Sequence, residues 1–187
     1  MVNKKWSGAF TLLEVLITIS LAAIFLSLAL PSFSQLLKRQ KADSTIQQLA
    51  TTIRYARSEA IRLGKIITIC FRNERNECQA DGHKDWIVFI DEDGRGVWQP
   101  GKRILRKTKI TDYIQWSSFP ATASLQLHPT GLTNYQHGTL LYCPKDKNSL
   151  YARALFINKT ARLRFSSPAK ASNHHLDGSN NPLECPH

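Results

Sequence analysis

Two arginines near the C-terminal end of the sequence carry its clearest chemistry. Residues 159–164 read Lys-Thr-Ala-Arg-Leu-Arg, and no acidic residue lies between Lys159 and Lys170. If this segment forms a strand, Arg162 and Arg164 point to the same face, about 7 Å apart. Guanidinium groups at that spacing can hold successive phosphates of a nucleic-acid backbone, and the two lysines would add positive charge nearby.

Other basic residues give weaker support to such a surface. The cations between Lys102 and Lys109 would alternate between the two faces of a strand, so they cannot all contact one ligand. We interpret this run as mainly solvated, with an extension of a DNA-binding surface as the alternative, and Lys145, Lys147 and Arg153 as further candidates for such an extension. In a purely structural alternative, the arginine pair only protects a sheet edge from pairing with another chain.

There is little basis in the sequence for a metal site or an enzyme. Residues 91–94 resemble the start of a calcium loop, but Lys102 stands at the twelfth position, where such a loop has a bidentate Glu. We interpret this segment as a plain turn, and His174 and His175 as a solvated pair. Nothing assembles a nucleophile, a base and an orienting acid, so we predict no catalysis, metal or cofactor.

If the domain is exported to the periplasm, an oxidising compartment, we expect its cysteines to form disulfides. No Cys-x-x-Cys pair is present, which argues against a zinc ribbon or a thioredoxin-type site. Of three possible pairings we favour the one that closes a short strand–loop connection and also ties down the C-terminal tail. It joins Cys70 to Cys78 and Cys143 to Cys185.

The composition is that of a globular protein, but its charge is not balanced. Hydrophobic residues make up 42% of the chain, while 25 Lys and Arg face 14 Asp and Glu, a net charge of +11. A strongly basic balance favours polyanionic partners such as nucleic acid, anionic lipid or acidic glycans, although it also aids solubility.

The N-terminal part of the chain contains a candidate membrane span. Residues 10–30 are apolar except for Glu14, and in a helix they would extend roughly 30 Å, the thickness of the hydrocarbon core. Lys4 and Lys5 precede the span, which predicts a cytoplasmic N-terminal end. A carboxylate inside a membrane is costly, and we expect Glu14 to pair with the α-amine of a neighbouring subunit during assembly. The alternative is a plain anchor that tolerates one Glu.

The residues before this span are identified by their resemblance to a known signal. Residues 8–14, Gly-Ala-Phe-Thr-Leu-Leu-Glu, resemble the class III prepilin signal of type IV pilins and type II secretion pseudopilins. The resemblance implies that prepilin peptidase removes a leader, residues 1–9, and that the new first residue, Phe10, is N-methylated. Ala9 would then stand where the family usually has Gly, and cleavage after Gly8 is the alternative.

The rest of the chain predicts one long helix followed by strands, an α+β arrangement. Residues 31–64 have an amphipathic helical pattern, with a bend expected at Pro31 and a stop at Gly64. Residues 65–166 are rich in strand signals, and the tail, 167–187, is predicted to lack regular structure and to be tied by a disulfide. The predicted strands are 66–71, 86–90, 103–110, 113–116, 125–128, 138–143, 151–157 and 162–165.

This downstream pattern resembles the GspH/FimT family of minor pilins. The similar elements are the Trp-Ile-Val-Phe-Ile-Asp strand, the Pro-Thr-Gly element, the Leu-Tyr-Cys strand and the final Ala-Arg-Leu-Arg hairpin. The resemblance implies a type IV pilin-like fold, a long N-terminal helix packed on antiparallel sheet. In the FimT branch a Gly-Arg-x-Arg motif is tied to DNA binding during natural transformation, and here Ala161 replaces the glycine.

Three hypotheses on function follow. In the first, the chain is a minor pilin of a type IV pilus that binds extracellular DNA without sequence preference, for uptake. In the second, it is a minor pseudopilin in the tip complex of a type II secretion system and acts through protein contacts. In the third, it is a pilus-assembly factor whose basic surface has no specific role. The expected location is the inner membrane, with a single span, a periplasmic C-terminal domain and other pilins as partners.

Overall fold

The longest element of the protein is a single helix, α1 (Leu12–Leu63). A computed structural model describes residues 11–82, 85–169 and 174–186. The chain divides into two compact units, Met1–Gln40 and Lys41–His187, and α1 contributes to both.

The first unit contains the apolar part of α1. The Thr11 hydroxyl accepts a hydrogen bond from the Glu14 backbone N–H at 3.2 Å, which satisfies one of the free donors at the start of the helix. Large apolar side chains such as Leu12 and Phe25 are exposed. By length and composition this part of the helix can cross a membrane. The helix continues through Pro31 without interruption, and the bend at that residue stays a prediction.

Besides the end of α1, the described residues of the second unit form ten short strands and one turn of 3-10 helix. The strands are β1 (Ile67–Arg72), β2 (Cys78–Gln79), β3 (Asp81–Gly82), β4 (Asp85–Ile90), β5 (Ile104–Lys109), β6 (Tyr113–Phe119), β7 (Ser124–Leu127), β8 (His137–Cys143), β9 (Arg153–Ile157) and β10 (Leu163–Phe165). The 3-10 turn, Ser149–Tyr151, precedes β9.

These strands form two antiparallel sheets. In the first sheet, β4 pairs with β1 along residues 67–72 and with β5 on its other side. Because a strand has only two edges, β7 and β2 share the remaining edge of β1, at residues 67–70 and 71–72. In the second sheet the order is β10-β9-β8-β6-β3, so that β10 is an edge strand.

The part of α1 from Lys41 onwards packs against both sheets. Its buried stripe recurs at spacings of three and four residues, which places the apolar side chains on one face. The stripe consists of Ala42, Ile46, Leu49, Ala50, Ile53, Ala56 and Ala60. It meets Phe71 and Trp86, whose rings stack at 5.9 Å, in the first sheet, and Leu140 and Leu155 in the second. The α+β prediction is confirmed by this arrangement.

Two disulfides close the unit, and they join the cysteines in the pairing that the sequence favours. Cys70 bonds to Cys78 and links β1 to β2. Cys143 bonds to Cys185 and links β8 to the tail, where Cys185 and Leu183 are buried beside Ala152 and Ala154.

Several elements differ from the sequence prediction. The predicted loop between β1 and β4 contains β2 and β3, which are too short to leave a pattern of their own. Tyr151, expected in a strand, ends the 3-10 turn because the Asn148 side chain accepts the Leu150 N–H and begins a helical turn there. β6 extends three residues further than predicted, to Phe119, and pairs with β8 along its whole length.

Candidate nucleic-acid interface

The arginine pair is held by a tight turn between β9 and β10. The side-chain oxygen of Asn158 accepts hydrogen bonds from the Thr160 backbone N–H at 3.1 Å, from the Thr160 hydroxyl at 2.7 Å and from the Arg162 N–H at 2.9 Å. The Ala161 N–H donates to the Asn158 carbonyl at 2.9 Å. One asparagine therefore fixes the backbone that leads into the arginines.

Ala161 occupies the position where the resembling motif has glycine. Its φ is +55°, in the left-handed region that glycine adopts without strain. The backbone thus has the conformation that a glycine would favour, although the residue is alanine. The Ala161 side chain is buried against the hydrophobic core, which offsets part of the strain.

Arg162 precedes β10, and its predicted place within the strand is wrong by one residue. Its N–H is bonded to the Asn158 side chain, so it is unavailable to the backbone ladder. Its carbonyl still accepts the Asn158 N–H at 3.2 Å. Arg164 lies within β10, opposite Phe156. Both arginines are exposed, and their spacing of two residues places them on one face.

The strand register continues this face across the second sheet. One row of opposed residues begins at the sheet edge and contains Arg164, Phe156, Thr139 and Ser117. A second row, two residues away on every strand, contains Arg162, Asn158, His137 and Phe119. The intervening row, with Leu163 and Ile157, faces the core. In that row a side chain on Gly138 would collide with the Ser117 carbonyl.

An open groove of about 870 Å³ lies over these rows. Its lining is formed by residues 137–139, 156–160 and 162–164, and we call it the basic groove. The lining includes Lys159, Arg162 and Arg164 but no acidic residue. The sequence-predicted cations therefore meet in one concave surface. Lys170, the fourth predicted residue, lies outside the described residues, as do Ala9 and Phe10.

The cations of the groove have no carboxylate partner. In the part of the chain that the structure describes, Lys159, Arg162 and Arg164 form no ion pair. The guanidinium carbon of Arg164 lies 4.9 Å from the centre of the Phe156 ring, which holds the side chain over the groove. The tail passes close by, since a Cβ at Gly178 would lie 3.7 Å from Arg164 Nη2.

Elsewhere the structure uses basic residues for its own stability. Arg153, a candidate addition to the DNA-binding surface, is 6% exposed, and its Nε lies 2.7 Å from Asp43. The guanidinium of Arg106 stacks on the Tyr55 ring at 4.2 Å. The interpretation of the Lys102–Lys109 run as mainly solvated is therefore wrong for Arg106, and also for Lys102, described next.

Lys102 is the centre of an ionic cluster beneath the turn that follows β4. Its ammonium lies 2.6 Å from Asp91 Oδ1, 2.6 Å from Asp93 Oδ1 and 2.8 Å from the Val97 carbonyl oxygen. Burial opposes the charge on Lys102, but its hydrogen bonds to the two carboxylates outweigh that effect and raise its pKa. The segment is more than the plain turn expected, because fully buried Asp91 organises it.

The interpretation of the two tail histidines as a solvated pair is also wrong. His175 is partly buried, with Nδ1 at 3.1 Å from the Ser166 carbonyl oxygen and at 3.0 Å from the Ser166 hydroxyl. Burial and, next, the charge of Arg153 lower the pKa of His175. His174 has a buried ring nitrogen without a hydrogen-bond partner among the described residues.

Sequence reasoning missed the other polar and aromatic members of the interface. His137 lines the basic groove, and its ring lies 5.6 Å from that of Phe119 on the neighbouring strand. Neither residue belongs to a recognisable motif, because their proximity depends on the pairing of β6 with β8. The alternation of buried Ile114 and Trp116 in β6, if extended to residue 119, would have placed Phe119 on the outer face.

Comparisons with known proteins agree with this fold. Residues 45–161 match the family model described as type II transport protein GspH. The type IV minor pilin FimU of Pseudomonas aeruginosa is similar in two crystal forms, both 21% identical. One gives a TM-score of 0.50 and covers 67% of this chain and 92% of FimU. The other gives 0.52 and covers 69% and 90%.

A third solved structure is more distant. The minor pseudopilin EpsH from the type 2 secretion system of Vibrio cholerae is 17% identical, with a TM-score of 0.47 and coverage of 69% of this chain and 98% of EpsH. No curated protein sequence matches the chain. The similarity to FimU shows that the fold is the type IV pilin-like one, a long helix packed on antiparallel sheets.

Proposed function

The chain belongs to the GspH family of minor pilins and pseudopilins, and we propose that this member binds extracellular DNA through the basic groove as part of a type IV pilus. The family consists of structural components of type IV pili and type II secretion systems rather than enzymes. The family match ends at residue 161, immediately before the arginine pair. The proposal therefore depends on this chain's own residues.

One observation carries the proposal, namely that unpaired cations converge in a groove without acids. Elsewhere in the described chain, partly buried Lys102 and buried Arg153 are each matched by a carboxylate. Arg162 and Arg164 are left exposed on one face, with Lys159 at the adjoining turn. Such a surface lacks an internal carboxylate partner and is suited to an external anion.

The chemistry is that of backbone recognition. Guanidinium groups donate charged hydrogen bonds to phosphate oxygens and displace the counterions that surround DNA. Contacts from arginine and lysine to phosphates carry no sequence information, so we expect binding that is independent of sequence and sensitive to salt. The left-handed turn at Ala161 holds the arginines in place without the glycine of the resembling motif.

In the proposed function, assembly into a pilus provides the movement that takes up DNA. Prepilin peptidase would remove residues 1–9 and leave Phe10 as the methylated first residue, with the apolar part of α1 in the inner membrane and later in the pilus core. Glu14, in the first turn of α1, would pair with the amine of a neighbouring pilin. The second unit, which we also call the globular unit, would face the periplasm, and retraction of the pilus would carry bound DNA inward.

The test is a DNA-binding measurement on the full chain in a neutral detergent. Arg162→Ala combined with Arg164→Ala should weaken duplex DNA binding about tenfold or more, since a hydrogen bond to a charged group contributes about 1.5 kcal/mol. Arg103→Ala combined with Lys109→Ala is the matched control, because it removes the same charge from exposed positions near β5. Equal losses in the two double variants would show that only net charge matters.

The competing hypotheses predict other outcomes. The arginines could protect an exposed edge, since β10 is the edge strand of the second sheet. In that case the Arg162/Arg164 variant would bind DNA like the parent and aggregate more readily. The family description as a type II transport protein favours the pseudopilin alternative. That alternative gains if the parent binds no DNA at all.

A further inference from the structure

Two exposed aromatic residues lie on segments that adjoin the basic groove, although nothing in its electrostatics requires them. Among the aromatic residues described in the globular unit, only Phe119 and Tyr135 are mostly exposed, at 70% and 79%. The other rings are buried or partly buried, most of them against the core. Phe119 in β6 pairs with His137 in β8. Tyr135 precedes His137 by two residues in the sequence.

Phe119 adjoins the groove directly. Its ring lies 5.6 Å from the His137 ring, and His137 is part of the groove lining. Both side chains belong to the row that begins with Arg162 at the sheet edge. With strands about 4.8 Å apart, three strand spacings separate the arginine from the phenylalanine, roughly 14 Å along one face.

Tyr135 is presented by a loop that is fixed to the arginine turn. The Thr133 hydroxyl donates to the Gln136 carbonyl at 2.5 Å, and it also lies 3.1 Å from the Lys159 carbonyl oxygen. The Thr133 N–H donates to the same Lys159 carbonyl at 3.1 Å. Tyr135 itself has φ +60°, a region that bulky residues rarely adopt. The loop that carries Tyr135 is therefore hydrogen-bonded to the turn that carries Lys159.

A groove that is lined by cations and adjoins an exposed aromatic ring is suited to a nucleic-acid strand whose bases are unpaired. Bases in a duplex are stacked on each other and present their flat faces to no protein, whereas the bases of a single strand stack on aromatic side chains. We infer that the basic groove takes single-stranded DNA, with phosphates on Arg162 and Arg164 and a base stacked on Phe119. This inference rests on the proposed function and names the form of DNA that the groove prefers.

The test compares two oligonucleotides of equal length and charge, an oligothymidine and its abasic counterpart, on the full chain in detergent. Stacking of a single base should make the parent bind the oligothymidine about tenfold more tightly than the abasic strand. Phe119→Ala and Phe119→Leu should remove that difference, while Phe119→Trp should keep it. The leucine variant separates stacking from simple apolar contact.

Duplex DNA of the same length gives the third arm. The Phe119 variants should bind it like the parent, because a duplex contacts only the cations, while the Arg162/Arg164 double variant should lose affinity for every ligand. Phe119 is exposed, so the thermal unfolding of its variants should match that of the parent. Equal parent binding of the oligothymidine and abasic strands, or a Phe119→Ala variant that still prefers bases, would overturn the inference and leave duplex binding intact. A parent that binds none of the three would overturn the proposed function itself.

Discussion

The Lys102 ammonium lies between two carboxylates in the turn that follows β4. Lys102 stands at the position from which a calcium loop would supply its last carboxylate, and its Nζ lies between Asp91 and Asp93. Asp91 is fully buried, and it also accepts hydrogen bonds from the Thr68 hydroxyl at 2.8 Å and the Gly96 N–H at 2.8 Å. The Lys102 side chain therefore supplies the positive charge that balances the two carboxylates.

Removing that charge should destabilise the globular unit strongly. Lys102→Met would leave Asp91 buried without a counter-charge, and breaking a buried pair by removing one partner costs about 3 kcal/mol or more. The measurement is the free energy of unfolding in urea at neutral pH. Lys109→Met, at an exposed position on β5, should stay within about 0.5 kcal/mol of the parent. A Lys102→Met variant as stable as this control would show that the ammonium is dispensable.

The face on which a side chain lies could be predicted from the sequence where it depends on local backbone structure. The common face of Arg162 and Arg164 follows from the two-residue period of an extended chain, and it holds although Arg162 lies just outside β10. The spacing around residues 91–94 argued against calcium because Lys102 replaces a ligand. The position of the Lys102 ammonium, inside the cluster rather than in solvent, depends on the approach of the chain after β4, which no local pattern encodes.

At the scale of elements, the tail and the second sheet are joined by a titratable contact. His175 rests on Ser166, the residue after β10, near the Arg153–Asp43 ion pair. Burial and then the Arg153 charge lower the pKa of His175 in the folded state. The unfolded chain therefore binds the proton more readily, and the stabilisation is complete above the ordinary histidine pKa and lost as the pH falls from there through the folded value.

We accordingly expect the free energy of unfolding to decrease as the pH is lowered from about 7 to about 5. His175→Gln should show a smaller decrease over the same interval, because glutamine keeps a hydrogen-bonding group and cannot gain the proton. His128→Gln, at an exposed position, should follow the parent. Urea titrations at several pH values provide the measurement, and identical pH profiles for parent and His175→Gln would contradict the assignment.

Elements with a strong pattern of their own were predictable, and those decided by distant contacts were not. The helical stripe of α1 and the β-branched runs of β1 and β4 lie where their periodicity indicates. β2 and β3 have two residues each and exist through pairing with β1 and β6. The neighbourhood of His137 and Phe119 likewise depends on the register of β6 with β8, which joins segments that lie far apart in sequence.

At the scale of the whole molecule, the two units differ in their features. The first carries an apolar helix long enough to cross a membrane, and the second carries the sheets and the basic groove. The net charge of +11 would draw any polyanion towards the protein. The observation that the protein binds DNA therefore cannot show whether particular residues contact phosphates or the net charge attracts DNA in general. A measurement that counts the phosphate contacts is needed.

The salt dependence of duplex DNA binding provides that measurement. The slope of the logarithm of affinity against the logarithm of salt concentration falls by about one for each phosphate contact that a variant loses. The account predicts that Arg162→Ala combined with Arg164→Ala lowers the slope by about two relative to the parent, while Arg103→Ala combined with Lys109→Ala leaves it unchanged. An unchanged slope in the Arg162/Arg164 variant would contradict the assignment of the basic groove as the DNA-binding site.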